Sequence, residues 1–490
     1  MYSLQQYESD CLNKSLSEIW DFILDNNIPL INPDFQLDHL GELYEKGLAL
    51  SNKIAKKEQG KYYTPIDVAN VMAEYFIALE GNAICDVCCG VGNLILAVLN
   101  QIDNPSDFIK QHHVYLYDID PIALNICKYT ISAKYGAELL PYIHIYCGNI
   151  LNRNITFPVG CKIISNPPYG KISTIEEEWD DDVVISETKD YYSAIFNKIL
   201  NNSLASCNIT PHSFLYGDKF LSFRKNMNNY SGDIFAFDNV PGNIFNGIKY
   251  GIFNTNNVNS VRAAITVTYP HQDKGYRISN FIRFPSESRK DVLTTEFLNN
   301  SLSIERQLIN DDNSKFCMML HGTEELCKIW LSSDKTIEDL IINQSNYRII
   351  IPDTCRYFTV ASVKNLHRTG KHIIYANNID SFAIIYGLFN STLGYYFYRM
   401  YNGGIVYPIG LLKSMPVPEI SKDDMIKLKT IVKEMISIES NHITIKRNAG
   451  ADQENIKFPE TYREQLNEIF CKGMIDKKLL SFIHDNRLEV

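Results

Sequence analysis

The apolar positions of the 490-residue chain change their period along its length. Leu16, Ile19, Trp20, Ile23 and Leu24, then Leu40, Leu43, Leu48, Leu50 and Ile54, recur at helical spacing and predict an amphipathic helical cap over residues 1–58. Thr64-Pro65 reads as a helix start, with a hydroxyl at the N-cap and proline at the first helical position. Val68, Val71, Met72, Tyr75 and Phe76 carry that helix onward. The pattern then becomes short apolar runs, Ala83–Val87, His113–Tyr117, Ile143–Tyr146 and Cys161–Ile164, alternating with helical stretches at Leu94–Leu99 and Leu124–Ile131. Such alternation predicts an α/β, Rossmann-like, doubly wound sheet, with further strands at Ile234–Phe237 and Ala263–Thr268.

Between these strands, the acidic stretch Glu176–Glu187 is expected to be an exposed mobile loop, because like charges repel. A boundary is expected near Pro285-Ser286-Glu287-Ser288. Beyond it the chain reads as β-rich and aromatic (Tyr347–Ile351, Tyr357–Val360, His372–Tyr375, Tyr395–Tyr398, Val406–Tyr407), followed by helices at Met425–Ile438 and Tyr462–Ile483. The expected organisation is a helical N-terminal cap over 1–58, an α/β domain over 59–285, an α+β domain over 286–420 and a helical region over 421–490.

Composition narrows the classes. Hydrophobic residues at 45% and charged residues at 21% describe a folded globular chain. No apolar run reaches the ~20 residues of a membrane span, and the first residues lack a basic-then-apolar signal, so a cytoplasmic protein is expected. The 12 cysteines are scattered through apolar segments, as in a reducing compartment. Cys85, Cys88 and Cys89 have no second ligand pair at metal spacing, so no metal is expected. The net charge of −10 conceals segregation. Arg348, Arg356, Lys364, Arg368, Lys371, Arg399 and Lys413 outnumber the acids Asp353, Asp380 and Glu419 around them. That stretch fits a surface facing a polyanion, although a solvated face shows the same bias.

The chemistry concentrates at strand ends. Two prolines after Cys161–Ile164 force the chain out of the sheet as a stiff loop, Ser165-Asn166-Pro167-Pro168-Tyr169-Gly170. That loop offers an amide (Asn166), a carbonyl (Pro167) and an aromatic face (Tyr169), the parts needed to hold an exocyclic amino group on a flat heterocycle. Upstream, Gly90 and Gly92 after Asp86 allow a ligand close to the backbone. Asp118 stands one βα unit further on, where ribose hydroxyls would bind. Asn149 ends the third strand, where a polar side chain would face an adenine edge. Phe245 lies in a glycine-rich polar loop, where an aromatic has a use besides filling a core.

Together these residues resemble the gamma class of S-adenosylmethionine-dependent DNA adenine-N6 methyltransferases. Gly60–Pro65 is similar to that family's motif X, Asp86–Gly92 to motif I, Asp118–Asp120 to motif II, Gly148–Ile150 to motif III and Asn166–Tyr169 to motif IV. Thr210–Leu215 and Ile244-Phe245 resemble the next strand and the loop that holds the target base. Leu388–Leu393 and Leu411–Pro418 look like elements of a recognition region. The resemblance implies that S-adenosyl-L-methionine is held by Tyr63, Thr64, Pro65, Asp86, Cys88, Gly90, Gly92, Asp118, Ile119, Asn149, Ile150 and Asn166. It implies catalysis by Asn166, Pro167 and Tyr169, and base stacking on Tyr169 and Phe245. It also implies a C-terminal α+β target-recognition domain that binds double-stranded DNA, with a restriction or specificity chain as partner.

Two positions depart from the family pattern: Val87 stands where proline is usual, and Asn149 where aspartate is. The same tetrapeptide serves enzymes acting on guanine N2 of ribosomal RNA or on a protein glutamine amide. A DNA-binding subunit active only with a partner chain is the remaining alternative. Cytosine C5 chemistry would need a Pro-Cys nucleophile, which the sequence lacks.

Overall fold

The computed structural model describes residues 64–239, 242–245, 261–270, 273–309, 315–355, 357–368, 370–448 and 451–485. The cap expected over 1–58, together with Tyr63 and Arg356, lies outside them. The chain divides into two units, the first ending at Phe316 and the second starting at Cys317. The division falls beyond the boundary expected near 285, because residues 286–309 stay with the sheet: Leu302 bridges to Ser279 and Gln307 to Tyr276.

In the first unit α1 (Ile66–Ile77) leads into β1 (Ala83–Val87), α2 (Asn93–Asn100), β2 (Val114–Asp118), α3 (Pro121–Tyr135), β3 (Ile143–Cys147) and β4 (Cys161–Ser165). There follow α4 (Val183–Thr188), α5 (Tyr191–Asn202), β5 (Ala205–Pro211), β6 (Ser231–Ala236), β7 (Ala263–Tyr269) and β8 (Gly275–Ile278). These eight strands form one sheet ordered β3-β2-β1-β4-β5-β7-β6-β8. From β3 across to β5 all neighbours are parallel, and β7 then enters antiparallel between β5 and β6, so the sheet is mixed. Every residue of β1 and of β4 is buried, as in strands covered on both faces. The strand order reverses between β1 and β4, and in open α/β sheets the crevice at such a reversal is where ligands bind.

Helix α1 is pinned at its C-terminal end by Lys162 of β4. The ammonium donates to the carbonyls of Phe76, Ile77 and Leu79 and satisfies the last acceptors of the helix. Burial pushes this lysine down to about 8.

The acidic stretch corrects the expectation of a mobile loop. Trp179 is buried and its indole donates to Glu176 Oε2, while Asp182 caps α4 through the Val184 amide. Burial of Trp179, Val184 and Ile185 outweighs the repulsion among their acidic neighbours.

The second unit contains a small sheet ordered β10-β11-β9, built from β9 (Ile341–Ile342), β10 (Arg348–Pro352) and β11 (Lys371–Ala376). Helices α6 (Ile379–Asn390), α7 (Thr392–Tyr401) and α8 (Lys422–Ile438) follow, then the hairpin β12 (Ile443–Asn448) and β13 (Ala451–Ile456), α9 (Glu460–Cys471) and α10 (Lys477–Asp485). The expected strands Tyr347–Ile351 and His372–Tyr375 fall in β10 and β11, but the β-rich reading fails elsewhere. Tyr395–Tyr398 lies inside α7, and Tyr357–Val360 joins no strand. Both α6 and α7 are buried on nearly every side, and an apolar run with no polar face carries no period that separates helix from strand. Leu428 and Val432 of α8 and Leu466 and Phe470 of α9 share one core with Tyr386 and Phe389 of α6, so residues 421–490 belong to this unit's core and include a hairpin besides their helices. Among the described residues no helix is long and apolar enough to cross a membrane.

Candidate active site

The C-terminal ends of β1, β2, β3 and β4 enclose a cavity of about 340 Å³. Its wall includes Thr64, Cys88, Gly90, Asp118, Ile119, Asn149, Ile150 and Asn166, eight of the residues expected there. Cys89, Asn93, Leu94, Tyr117, Asp120, Ala123, Gly148, Pro168, Tyr191 and Ile195 complete it. Asn93 was within reach of the sequence, since it follows Gly92 directly; Tyr191 and Ile195 come from α5 and carry no motif.

Asp118 organises the floor. Its Oδ2 accepts from the Gly90 amide at 2.8 Å and its Oδ1 from the Asp120 amide at 2.9 Å. The carboxylate therefore fixes the glycine turn, where Gly90 has φ 53° and Cys88 has φ 63°. The latter conformation is rare for a residue with a side chain and marks a backbone held under constraint. Asn149 Oδ1 accepts from the Leu151 amide at 3.1 Å, closing the third strand end. Asp120 caps α3 through the amides of Ile122 and Ala123.

Asp86 and Gly92 are not among the residues lining this cavity and hold the turn and helix that border it. Asp86 is fully buried, and its Oδ2 accepts from the Ile95 amide at 3.2 Å in the first turn of α2. An oxygen of the protein thus already occupies the helix N-terminus that would bind a pyrophosphate in a dinucleotide site. A Cβ at Gly92 (φ 94°) would lie 2.4 Å from Cys127 Sγ, so this glycine permits helix packing. Pro65 is likewise absent from the wall.

Burial raises the Asp86 carboxyl to about 8. Because its folded value lies above its unfolded one, the folded state holds the extra proton, and stability falls as pH rises from about 4 to about 8. Asp86→Asn is expected to flatten this slope in urea-unfolding midpoints taken across that window; a slope equal to the wild type's would refute the assignment.

Thr64 departs from the predicted capping role. The N-cap of α1 is Pro65, with no side-chain bond. Thr64 Oγ1 instead accepts from Asn166 Nδ2 at 2.9 Å, and Thr64 O accepts from Asn93 Nδ2 at 3.3 Å. Donation through Nδ2 turns Asn166 Oδ1 away from Thr64, since the two ends of an amide point apart in one plane. Tyr169 is tethered by its hydroxyl to Ile209 O at 3.3 Å. Its ring stands edge-on to Tyr192 and to Phe245, with centroids 6.4 and 5.8 Å away. Phe245 is buried in a turn closed by Asn243, whose Oδ1 accepts from the Phe245 amide at 2.8 Å. The structure therefore brings Asn166, Pro167, Tyr169 and Phe245 together beside the cavity.

The cations expected to face DNA are scattered in character. Arg348 and Lys364 are exposed, while Arg368, Lys371 and Lys413 are half-buried. Arg368 donates to Asn455 Oδ1 and Thr354 Oγ1, and Lys413 pairs with Glu338. Arg399 is 6% exposed on the buried helix α7, which corrects its expected place on a DNA-facing surface. The reason is that of α7 itself, a helix apolar around most of its circumference.

Residues 35–217 match the family described as N-6 DNA Methylase. The chain is 29% identical over 180 residues to the type II methyltransferase M.VspI of Vibrio sp. (strain 343), covering 34% of this chain and 39% of that protein. It is 26% identical over 143 residues to the type I restriction enzyme MjaIX methylase subunit of Methanocaldococcus jannaschii, covering 29% and 24%. These matches span less than two-fifths of each relative's length. Among solved structures it is similar to the ATP-dependent Type ISP restriction-modification enzyme LlaBIII bound to DNA, with 11% identity, 91% of this chain and 45% of that chain covered, and a TM-score of 0.44.

Proposed function

We propose that this chain is a site-specific DNA methyltransferase that moves the methyl group of S-adenosyl-L-methionine to N6 of an adenine flipped out of double-stranded DNA. The observation that carries this reading is the position of Asn166. One amide both lines the four-strand cavity and opens the Pro167–Tyr169 loop, so a donor and an amino group would meet across it. The family match over residues 35–217 supports the same chemistry.

The wall fits the cofactor. Asp118 suits ribose hydroxyls, Asn149 an adenine amino group, and the start of α1 beside Thr64 a carboxylate. The acids Asp118 and Asp120 complement a cation. When bound, the cofactor supplies a methyl already activated on a positively charged sulfur. The protein prepares the acceptor. Asn166 Oδ1 and Pro167 O take hydrogen bonds from the two N–H groups, which localises a lone pair otherwise delocalised into the ring. Holding the amino group in line supplies much of the remaining acceleration. Stacking on Tyr169 and Phe245 offsets the few kcal/mol of unstacking that extrusion of the base costs.

In this proposal the second unit is the target-recognition region. Arg348, Lys364, Arg368, Lys371 and Lys413 contact the phosphate backbone, and a restriction or specificity chain is the natural partner. Incubation of purified protein with tritiated S-adenosylmethionine and unmethylated genomic DNA is expected to place label in N6-methyladenine. Label on ribosomal RNA or on a protein glutamine, or DNA labelling only after a partner chain is added, would replace this reading with one of its rivals.

A further inference from the structure

We infer that Arg289 is a positioning residue that couples the cofactor cavity to the target-base site, an inference that rests on the function proposed above. Arg289 is 7% exposed, and its guanidinium spans two segments far apart in sequence. Nε and Nη2 grip the two carboxylate oxygens of Asp67, the Nη2–Oδ1 bond measuring 2.9 Å. Nη1 donates to Asn243 O at 2.6 Å and Nη2 to Ile244 O at 2.7 Å.

Each end of this bridge borders one half of the site. Asp67 lies in the first turn of α1, three residues after the cavity residue Thr64, whose hydroxyl holds the Asn166 amide. Asn243 and Ile244 immediately precede Phe245, which packs edge-on against Tyr169. The guanidinium is planar and its donors are fixed relative to one another. A shift of the α1 start therefore moves the 243–245 turn with it, because separation would strand the buried guanidinium without its partners. A buried ion pair adds little net stability in itself, which makes positioning the better account of so complete a set of bonds. Coupling of this kind is reciprocal: cofactor favours the base-holding arrangement, and a bound target strengthens cofactor binding by the same factor.

The test is equilibrium dialysis of labelled S-adenosylhomocysteine with wild-type protein, with and without sheared unmethylated genomic DNA. DNA is expected to tighten binding by on the order of tenfold. Arg289→Lys keeps the charge but loses the fork, and is expected to reduce that tightening to less than about twofold. Asp67→Asn, which leaves the arginine in place, should do the same. Wild-type protein without tightening, or Arg289→Lys retaining it, overturns the inference. Unfolding of both variants by circular dichroism also overturns it, since it would make the bridge a fold element only. Methyl transfer to DNA without any tightening would leave the proposed function standing, whereas absence of transfer removes that function itself.

Discussion

Asn166→Ala is expected to lower the single-turnover rate of methyl transfer by on the order of 10²–10³, comparable to removing one transition-state hydrogen-bond partner elsewhere. The side chain is half-buried and linked to Thr64, so its loss also frees that hydroxyl. The fold should survive, because the loop is framed by Pro167 and Pro168 and Tyr169 stays tethered to β5. Cofactor affinity should change by less than about tenfold, since Asp118 and the glycine turn remain; in kinetic terms the loss falls on kcat more than on cofactor KM. A variant with a rate within tenfold of wild type and an unchanged melting temperature would refute the role given to this amide.

Asp118→Ala should show the opposite division. It removes the acceptor for both the Gly90 and Asp120 amides, leaving the glycine turn with only its own backbone bonds, from Cys89 N to Tyr117 O and from Gly92 N to Cys89 O. It also removes the proposed partner of the ribose. Hydrogen bonds to a charged group contribute about 1.5–3 kcal/mol each, so cofactor binding is expected to weaken by roughly two orders of magnitude. Dialysis with labelled S-adenosylhomocysteine measures this directly. Asp118→Asn, which retains one acceptor oxygen, should recover part of the loss. Equal binding by wild type and Asp118→Ala would mean that the cofactor lies elsewhere.

The cavity was legible in the sequence because its makers are backbone devices. Short buried strands, a Gly-x-Gly turn, Asp118 and a double proline all act within a few residues of where they stand. The second unit was less legible. Tyr395, Tyr396 and Tyr398 favour strands by type, but they lie on a helix wrapped by other core residues, and tertiary packing decided their state. Thr64 looked like a cap because Thr-Pro commonly is one; its hydroxyl went to Asn166, some hundred residues downstream, and no local pattern records such a partner. Asp67 and Arg289 were invisible for the same reason, since an ion pair between distant segments leaves no periodic trace. The acidic stretch misled by its charges, while Trp179 and Ile185 within it held the chain down.

The oxygen that Asp86 places on the Ile95 amide also bears on competition inside a cell. ATP and oxidised dinucleotides carry the same adenosine portion as the proposed methyl donor, so nucleoside contacts alone could not keep them out. In that reading their phosphates would lie near the Asp118 carboxylate, while the Ile95 amide at the start of α2 is already taken by Asp86. A sulfonium meets no such obstacle. If the methyl donor binds here as proposed, the Asp118 carboxylate would favour an adenosine compound that carries a cation over those that carry phosphates.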